Sequence, residues 1–186
     1  MLDQQDNGFE PENYKLGFVH VEEVENDVYV GGIFICDGLL RPLEFRVTST
    51  IRPNNIQHLL YGSELLPFIC QELVLVNCIA KLKEHPEVVL CSNEEFLGAR
   101  NKVDISLMSI YRQGELVTSG EAGSGKTKSI ESHKFTTIVA RTAPGYESDI
   151  DKAAVLEQIF SARDLSEPFE RVKNAIKEYH SRKGAN

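Results

Sequence analysis

The chain has 186 residues, of which 41% are hydrophobic and 26% charged; this is close to the composition of ordinary globular domains and excludes extensive disorder. The formal net charge of -8 at pH 7 disfavours non-specific nucleic-acid binding, because an acidic surface repels phosphate backbones. The first residues are acidic, and the longest apolar stretch, residues 65–82, contains four polar side chains. We therefore expect a cytoplasmic protein that does not enter a membrane.

The first third of the chain predicts an acidic tail followed by an antiparallel sheet. Residues 1–13 are polar and acidic, as in a flexible tail. Three β-rich segments follow at residues 14–24, 28–36 and 43–50, separated by short turns. Strands that follow one another with only a turn between them pair antiparallel, so these segments predict a three-stranded meander.

A long apolar helix and an interior strand are predicted next. Pro53 ends the third strand, and a short helix over residues 54–60 leads to a long one over residues 64–84. The long helix is apolar on nearly every side, which indicates a central position. Residues 88–91 form a continuous apolar run, which is typical of a strand buried on both faces.

The remaining elements complete an α/β (α+β) fold. They are a brief helix at 93–100, strands at 104–111 and 135–141, and helices at 149–160 and after Ser166. Residues 112–134 are rich in Gly, Ser, Thr, Lys and Glu and predict a long mobile loop. Residues 14–186 are thus expected to form a single α/β domain, in which helices flank a mixed sheet that opens with the three-stranded antiparallel meander.

This element order resembles the ribonuclease H-like fold over residues 14–111. The passage Leu66-Pro67-Phe68, Glu72-Leu73 and Pro86-Glu-Val-Val-Leu looks like the corresponding helix-to-strand segment of endonuclease V relatives. The resemblance implies Mg²⁺ bound by acidic residues on the first strand, on the first long helix and at the end of the fourth strand, since two-metal hydrolysis needs clustered carboxylates.

The residues at those positions depart from the family pattern. The first strand has His20 and Glu22 where the family has Asp, and the helix offers Glu72. The fourth strand ends in Ser92-Asn93, and the first carboxylate after it is Glu94. The departure argues against an active metal nuclease and leaves a degenerate metal-dependent nuclease relative, using Glu22, Glu72 and Glu94, as an alternative.

A second resemblance carries no functional implication. The phrases Arg52-Pro53, Tyr61-Gly62, Leu66-Pro67 and Glu167-Pro-Phe-Glu-Arg-Val resemble an uncharacterised bacterial protein family without an assigned activity. They extend over most of the chain.

Residues 120–127 match the phosphate-loop pattern GxxxxGK[ST]. The positions that would bind nucleotide are Gly120, Gly123, Gly125, Lys126 and Thr127. In a phosphate loop, the lysine contacts the β- and γ-phosphates of ATP or GTP and the hydroxyl contacts Mg²⁺. Such a loop needs a buried strand before it and a helix after it, and neither is predicted by the flanking residues. ATP or GTP with Mg²⁺ therefore remains an alternative to a polar loop without nucleotide.

The other chemistry-bearing residues indicate structural roles. The four cysteines lie in or beside apolar runs and are expected to be reduced core residues without a metal. His20 is expected to be a half-buried, hydrogen-bonded histidine, although a role as ligand or base stays open. Arg41, Arg46 and Arg52 are expected to form surface ion pairs, with an anion site as the alternative.

No complete set of nucleophile, base and metal ligands is recognisable in the sequence. The expected function is therefore that of a soluble, non-catalytic binding or accessory subunit without a cofactor, whose partner is another protein.

Overall fold

Seven strands form one mixed sheet in the computed structural model, which describes residues 9–115 and 125–184. The strands are β1 (Lys15–Glu25), β2 (Val28–Asp37), β3 (Pro42–Val47), β4 (Val88–Cys91), β5 (Ser106–Arg112), β6 (Thr127–Ile130) and β7 (Ile138–Thr142). Their order across the sheet is β3-β2-β1-β4-β5-β7-β6. The mixed α/β fold class predicted from the sequence is confirmed.

The predicted meander is also confirmed. β1 pairs antiparallel with β2 and β2 with β3, while β4 and β5 run parallel to β1. A tight turn joins β1 to β2, and Asp27 takes a positive φ of 57° in it, a conformation that Asp tolerates better than most residues. Because β1, β4 and β5 are parallel, their carboxyl ends meet at the same edge of the sheet.

Helices cover both faces of the sheet. They are α1 (Asn55–Tyr61), α2 (Leu65–Phe68), α3 (Asn77–Ile79), α4 (Ala153–Phe160) and α5 (Glu167–Gly184). A π-helical segment, Ile69–Val76, joins α2 to α3, and the three together are called the central helix below. Short 3-10 helices occupy Pro11–Asn13, Gly62–Glu64, Glu94–Lys102 and Glu147–Lys152. The central helix ends earlier than predicted, at Ile79, and the predicted helix over residues 149–160 begins as a 3-10 turn.

The central helix packs closely on one face of the sheet. A Cβ built on Gly31 of β2 would stand 2.3 Å from both γ-methyl groups of Val74, so only glycine permits this approach. Ile69, Val74 and Leu75 are buried there. The helical stretch Asn55–Ile79 is long and apolar enough to cross a bilayer by length and composition alone, which is weak evidence for a membrane span. Only 28% of its apolar window is buried: Ile69 and Val74 pack on the sheet, whereas Leu59 is exposed.

The opposite face of the sheet carries α4 and α5. Phe18 of β1 is fully buried and its ring contacts that of Phe169 edge to face, with centroids 5.3 Å apart. Val172 and Ile176 continue the buried stripe of α5. The two faces form separate hydrophobic cores, and this second one holds α5 against β1 and β2.

Two segments differ from their predicted states. Residues 11–13, assigned to the tail, form a 3-10 turn, and the amide of Gly38 donates to the carbonyl of Pro11 at 2.8 Å. Within the predicted loop over residues 112–134, Thr127–Ile130 form β6, which pairs with β7 and buries Ile130. A four-residue edge strand with one buried side chain has too short a pattern to be recognised in the sequence. Residues 1–8 and 116–124 lie outside the described part.

Candidate functional site

A cleft of about 420 Å³ opens on the α5 face at the carboxyl ends of the parallel strands. Open α/β sheets bind ligands at this edge, because the strand ends and following loops present side chains there without disturbing the core. Ten residues from β1, β4, β5 and α5 and their adjoining turns line the cleft: His20, Ser92, Ile110, Tyr111, Arg112, Glu115, Ser166, Phe169, Glu170 and Lys173.

Three side chains, Ser92, His20 and Glu22, are hydrogen-bonded in a row where β1 and β4 border this cleft. His20 Nδ1 is 2.8 Å from Ser92 Oγ, and His20 Nε2 is 2.9 Å from Glu22 Oε2. The other oxygen of Glu22 is 3.0 Å from Lys177 Nζ on α5. His20 and Glu22 alternate on β1 and so point to the same face, while Ser92 directly follows β4, whose residues Val88–Cys91 run beside those of β1.

Burial and hydrogen bonding determine the charges of His20 and Glu22. Burial of the His20 imidazole lowers its pKa below the usual histidine value, and the neighbouring Glu22 carboxylate only partly opposes this effect. Burial also acts on Glu22, but the hydrogen bonds from His20 and Lys177 outweigh it and hold the pKa of Glu22 below its usual value. At neutral pH, Glu22 is therefore ionised and His20 is neutral.

The ionised Glu22 also determines the tautomer of His20. A carboxylate can only accept hydrogen bonds, so Nε2 must carry the imidazole proton and donate it to Glu22. Nδ1 then has a free lone pair and must accept the hydrogen bond from the hydroxyl of Ser92. In this tautomer, Nδ1 of His20 can take a proton from Ser92. In the opposite tautomer, Nδ1 already carries a proton and could not.

The three carboxylates suggested as metal ligands do not come together. Glu22 is engaged by His20 and Lys177, Glu72 forms an ion pair with Lys102, and Glu94 Oε1 is 2.8 Å from Arg141 Nη1. No group of three His, Cys, Asp or Glu side chains that could hold a metal occurs within residues 9–115 and 125–184. The site does not fit a divalent metal, because Glu22, the carboxylate in contact with His20, does not line the cleft and is already paired with Lys177.

The phosphate-loop positions fall partly outside the described residues, which do not include Gly120 and Gly123. Lys126 precedes β6, where its amide donates to Thr142 Oγ1 at 3.0 Å, and Thr127 is the first residue of β6. A Cβ on Gly125 would stand 2.0 Å from the carbonyl oxygen of Thr142, so this glycine is needed for close contact with β7. A strand, and not a helix, follows Lys126. Nucleotide binding by these residues stays a prediction.

Other candidate groups have the structural roles expected of them. All four cysteines are free and buried. Arg41 pairs with Asp37, Arg46 with Glu44 and Arg52 with Glu25, which confirms the predicted ion pairs.

The sequence did not identify Ser92, Arg112 or Lys173 as site residues. In the sequence, Ser92 is distinguished only by standing where the family has a carboxylate, because nothing local connects it to His20, 72 residues earlier. Its position directly after an interior strand is the one sequence feature that could have drawn attention to it.

Solved structures of endonuclease V have the same fold. The structure of human endonuclease V matches with a TM-score of 0.60 and 13% identity over 93% of this chain and 86% of that chain. Endonuclease V of Ciona intestinalis, in complex with a 24mer DNA containing an inosine followed by a ribo-adenosine, matches with a TM-score of 0.58 and 11% identity over 91% and 86%. No protein-family model and no curated protein sequence matches the chain.

These comparisons contradict two expectations drawn from the sequence. The first is the non-catalytic accessory role, since the similar structures are those of nucleases, which favours the nuclease-relative alternative. The second is the expectation that the partner is another protein and that nucleic-acid binding is disfavoured. Two of the similar structures contain DNA, which points to nucleic acid instead. That expectation used net charge, which averages over the whole surface, whereas binding depends on the charges that line one site. The chain has the ribonuclease H-like fold, as its element order suggested.

Proposed function

We propose that this protein is a nucleic-acid-binding relative of the endonuclease V-like nucleases, degenerate in its metal site, and that it holds a single strand in the cleft beside His20 and Ser92. One observation carries the proposal. The cleft is open to solvent beside the middle of β1 and the end of β4, two of the positions where this family carries metal-binding carboxylates, and here those positions hold His20 and Ser92.

The lining suits the two parts of a nucleotide. Arg112 and Lys173 supply positive charge for phosphate oxygens, and Arg112 is held loosely by Asp164, with Nη2 3.6 Å from a carboxylate oxygen. Tyr111 and Phe169 supply aromatic surface on which a base can stack. A volume of about 420 Å³ lies within the range of small-ligand sites, so the cleft admits one nucleotide and not a duplex.

The acidic surface around the cleft favours selective over general binding. With a net charge of -8, the protein repels a nucleic acid everywhere except where cations line the contact. Glu115 and Glu170 in the same lining further restrict the path of a phosphate backbone. Binding is therefore expected to be confined to a short single-stranded segment or an exposed base and to weaken as salt is added.

Fluorescence anisotropy with labelled single-stranded DNA and RNA tests this function. We expect saturable binding whose affinity falls roughly 2- to 5-fold in Lys173→Ala and in Arg112→Ala, the range of one solvent-exposed charge contact. Each substitution should also reduce the slope of log K against log salt by about 0.7, because one fewer phosphate is neutralised.

Lys83→Ala is the matched control, because Lys83 is exposed and lies in the turn after the central helix, outside the cleft. Equal losses in Lys83→Ala and Lys173→Ala would show that binding is non-specific. No binding of either nucleic acid at low salt would refute the proposal.

A further inference from the structure

We propose that Ser92 is a nucleophile that cleaves phosphodiesters without a metal, with His20 as its base and Glu22 as the residue that positions His20. The proposal deepens the proposed function and rests on it for the choice of a phosphodiester as substrate. Its basis is the hydrogen-bonded sequence Ser92 Oγ to His20 Nδ1, 2.8 Å, and His20 Nε2 to Glu22 Oε2, 2.9 Å, at the wall of an open cleft.

The three side chains have the accessibility that these roles require. Ser92 is half-buried and lines the cleft, so its oxygen can reach a bound substrate. The side chains of His20 and Glu22 are only 19% and 17% exposed, which limits competition from water for their hydrogen bonds. A nucleophile, a base within hydrogen-bond distance and a third group that orients the base are the pattern of activated hydroxyl nucleophiles.

The reaction proceeds in two balanced steps. Ser92 Oγ attacks phosphorus, a P–O bond to serine forms and the P–O bond to the leaving nucleoside oxygen breaks. The hydroxyl proton of Ser92 passes to His20 Nδ1 and from there to the leaving oxygen. Water then attacks the phosphoserine and gives its proton to His20, the bond from phosphorus to Ser92 breaks, and His20 returns the proton to the serine oxygen.

The charges around His20 favour this cycle. Glu22 accepts from Nε2 and stabilises the imidazolium that forms during each step. Lys173 on α5 supplies positive charge beside His20 and is available to the phosphoryl oxygens. Glu170, also on α5, is the second acidic group near the imidazole. Activity should therefore be lost as the pH falls and His20 becomes protonated, because the protonated ring cannot act as a base.

Labelling with a fluorophosphonate probe in the presence of EDTA tests the nucleophile. We expect one covalent adduct per protein molecule in intact mass spectrometry, mapped to the peptide that contains Ser92. The adduct should be absent in Ser92→Ala and form about 10²- to 10⁴-fold more slowly in His20→Ala, the usual contribution of a general base. Ser181→Ala, which changes an exposed serine near the end of α5, should label like the unmodified protein.

Hydrolysis of bis(4-nitrophenyl) phosphate in EDTA separates this proposal from the proposed function. Turnover that requires Ser92, with no oligonucleotide binding, would support the nucleophile and refute the nucleic-acid function. Oligonucleotide binding without an adduct on Ser92 and without turnover would overturn the nucleophile and leave the function standing. Turnover that survives Ser92→Ala would likewise overturn it. Circular dichroism melts identify any variant that fails to fold, in which case Ser92→Cys is used to test transfer of the reactivity to a thiol.

Glu22 acts through His20 and needs a readout of its own. Glu22→Gln should slow labelling at least about 10-fold, because an amide can donate to Nε2 and stabilise the tautomer that cannot accept from Ser92. It should also shift the lower limb of the pH profile, and Glu22→Asp should recover part of the rate. An unchanged pH profile together with equal losses in both variants would show that Glu22 is merely structural.

Discussion

At the scale of single residues, the chemistry of the cleft depends on which nitrogen of His20 carries the proton. The carboxylate of Glu22 faces Nε2 and the hydroxyl of Ser92 faces Nδ1. Because Glu22 can only accept, the neutral ring has its proton on Nε2 and its lone pair towards Ser92. Reversing this one choice would convert a potential base into a hydrogen-bond donor.

We predict that His20 titrates with a pKa below the ordinary histidine value of 6.5, because burial of the ring disfavours its charged form more than Glu22 favours it. Protonation therefore costs folding free energy: the contribution of His20 to stability is present above the unfolded pKa and is lost as pH falls through the folded one. NMR titration of ¹⁵N-labelled imidazole measures the pKa and the tautomer together.

The variant Glu22→Gln gives the matching control. This substitution removes the negative charge next to the ring and should therefore lower the pKa of His20 further. A pKa above 6.5 in the unmodified protein would contradict the predicted effect of burial, and protonation of Nδ1 in the neutral ring would contradict the assignment of Ser92 as donor.

The half-buried state of His20 was predictable from the sequence, because the apolar residues beside it on β1 indicate a partly buried strand. Its two hydrogen-bond partners are not equally predictable. Glu22 is two residues away on the same strand, but Ser92 is 72 residues away, directly after β4. The pairing exists only because β4 lies parallel beside β1, with Val19 opposite Cys91. No sequence pattern within either strand contains that contact.

At the scale of secondary structure, the central helix depends on glycine in β2. Gly31→Ala would place a methyl group 2.3 Å from the γ-carbons of Val74, so the helix or the strand must shift. We expect a loss of about 1–3 kcal/mol in the free energy of unfolding, the usual cost of overpacking a core. Urea denaturation measures this loss.

A second substitution identifies the cause of that loss. Val74→Ala removes the side chain that the new methyl group meets, so the double variant should be more stable than the sum of the two single effects predicts. Strict additivity would show that helix packing on Gly31 is not the reason for the loss.

A buried ion pair holds the 3-10 turn Glu147–Lys152 to the sheet. Asp149 is 5% exposed and accepts from Arg100 Nε at 2.6 Å and from the amide of Leu107 at 3.1 Å. Asp149→Ala should destabilise the protein by about 3 kcal/mol, because Arg100 loses its partner in a poorly solvated site. Thermal and urea unfolding measure the effect.

The neighbouring residue Ser148 is exposed and serves as the control for that turn. Ser148→Ala should change the free energy of unfolding by less than about 0.5 kcal/mol. A loss of similar size in both variants would mean that the turn, and not the ion pair, determines the stability.

Local patterns predicted most elements, but not all of them. The strands β1 and β2 are ten or more residues long and rich in β-branched and aromatic residues, and turn residues separate them. β6 has four residues and one buried side chain, so its identity as a strand comes from pairing with β7. The π-helical geometry of Ile69–Val76 also has no pattern of its own, since it shares the apolar composition of the flanking α-helical turns.

At the scale of the whole molecule, the sheet order creates the cleft. The chain returns from β2 and β3 through the central helix to place β4 directly beside β1, and α5 then closes the opposite face. The element order was enough to suggest the ribonuclease H-like fold. It was not enough to show that the histidine and the serine at two of the positions expected to hold metal ligands are hydrogen-bonded to each other.

Net charge also has to be interpreted on the folded molecule. The total of -8 describes the average surface, whereas the cleft collects Arg112 and Lys173 from segments 61 residues apart (173 minus 112). Their proximity arises from the packing of α5 against the sheet. An expectation about partners that rests on net charge therefore takes no account of a local site such as this cleft, which is lined by both cations and aromatic rings.

Photocrosslinking of a single-stranded oligonucleotide containing 5-iodouracil, followed by peptide mapping, tests directly whether the cleft binds a single strand. We expect adducts on Tyr111 or Phe169, which line the cleft, at a yield that falls in Lys173→Ala and not in Lys83→Ala. Adducts confined to the opposite face of the sheet, such as the groove lined by Thr48 and Asn77, would contradict it, as would the absence of any crosslink at saturating oligonucleotide.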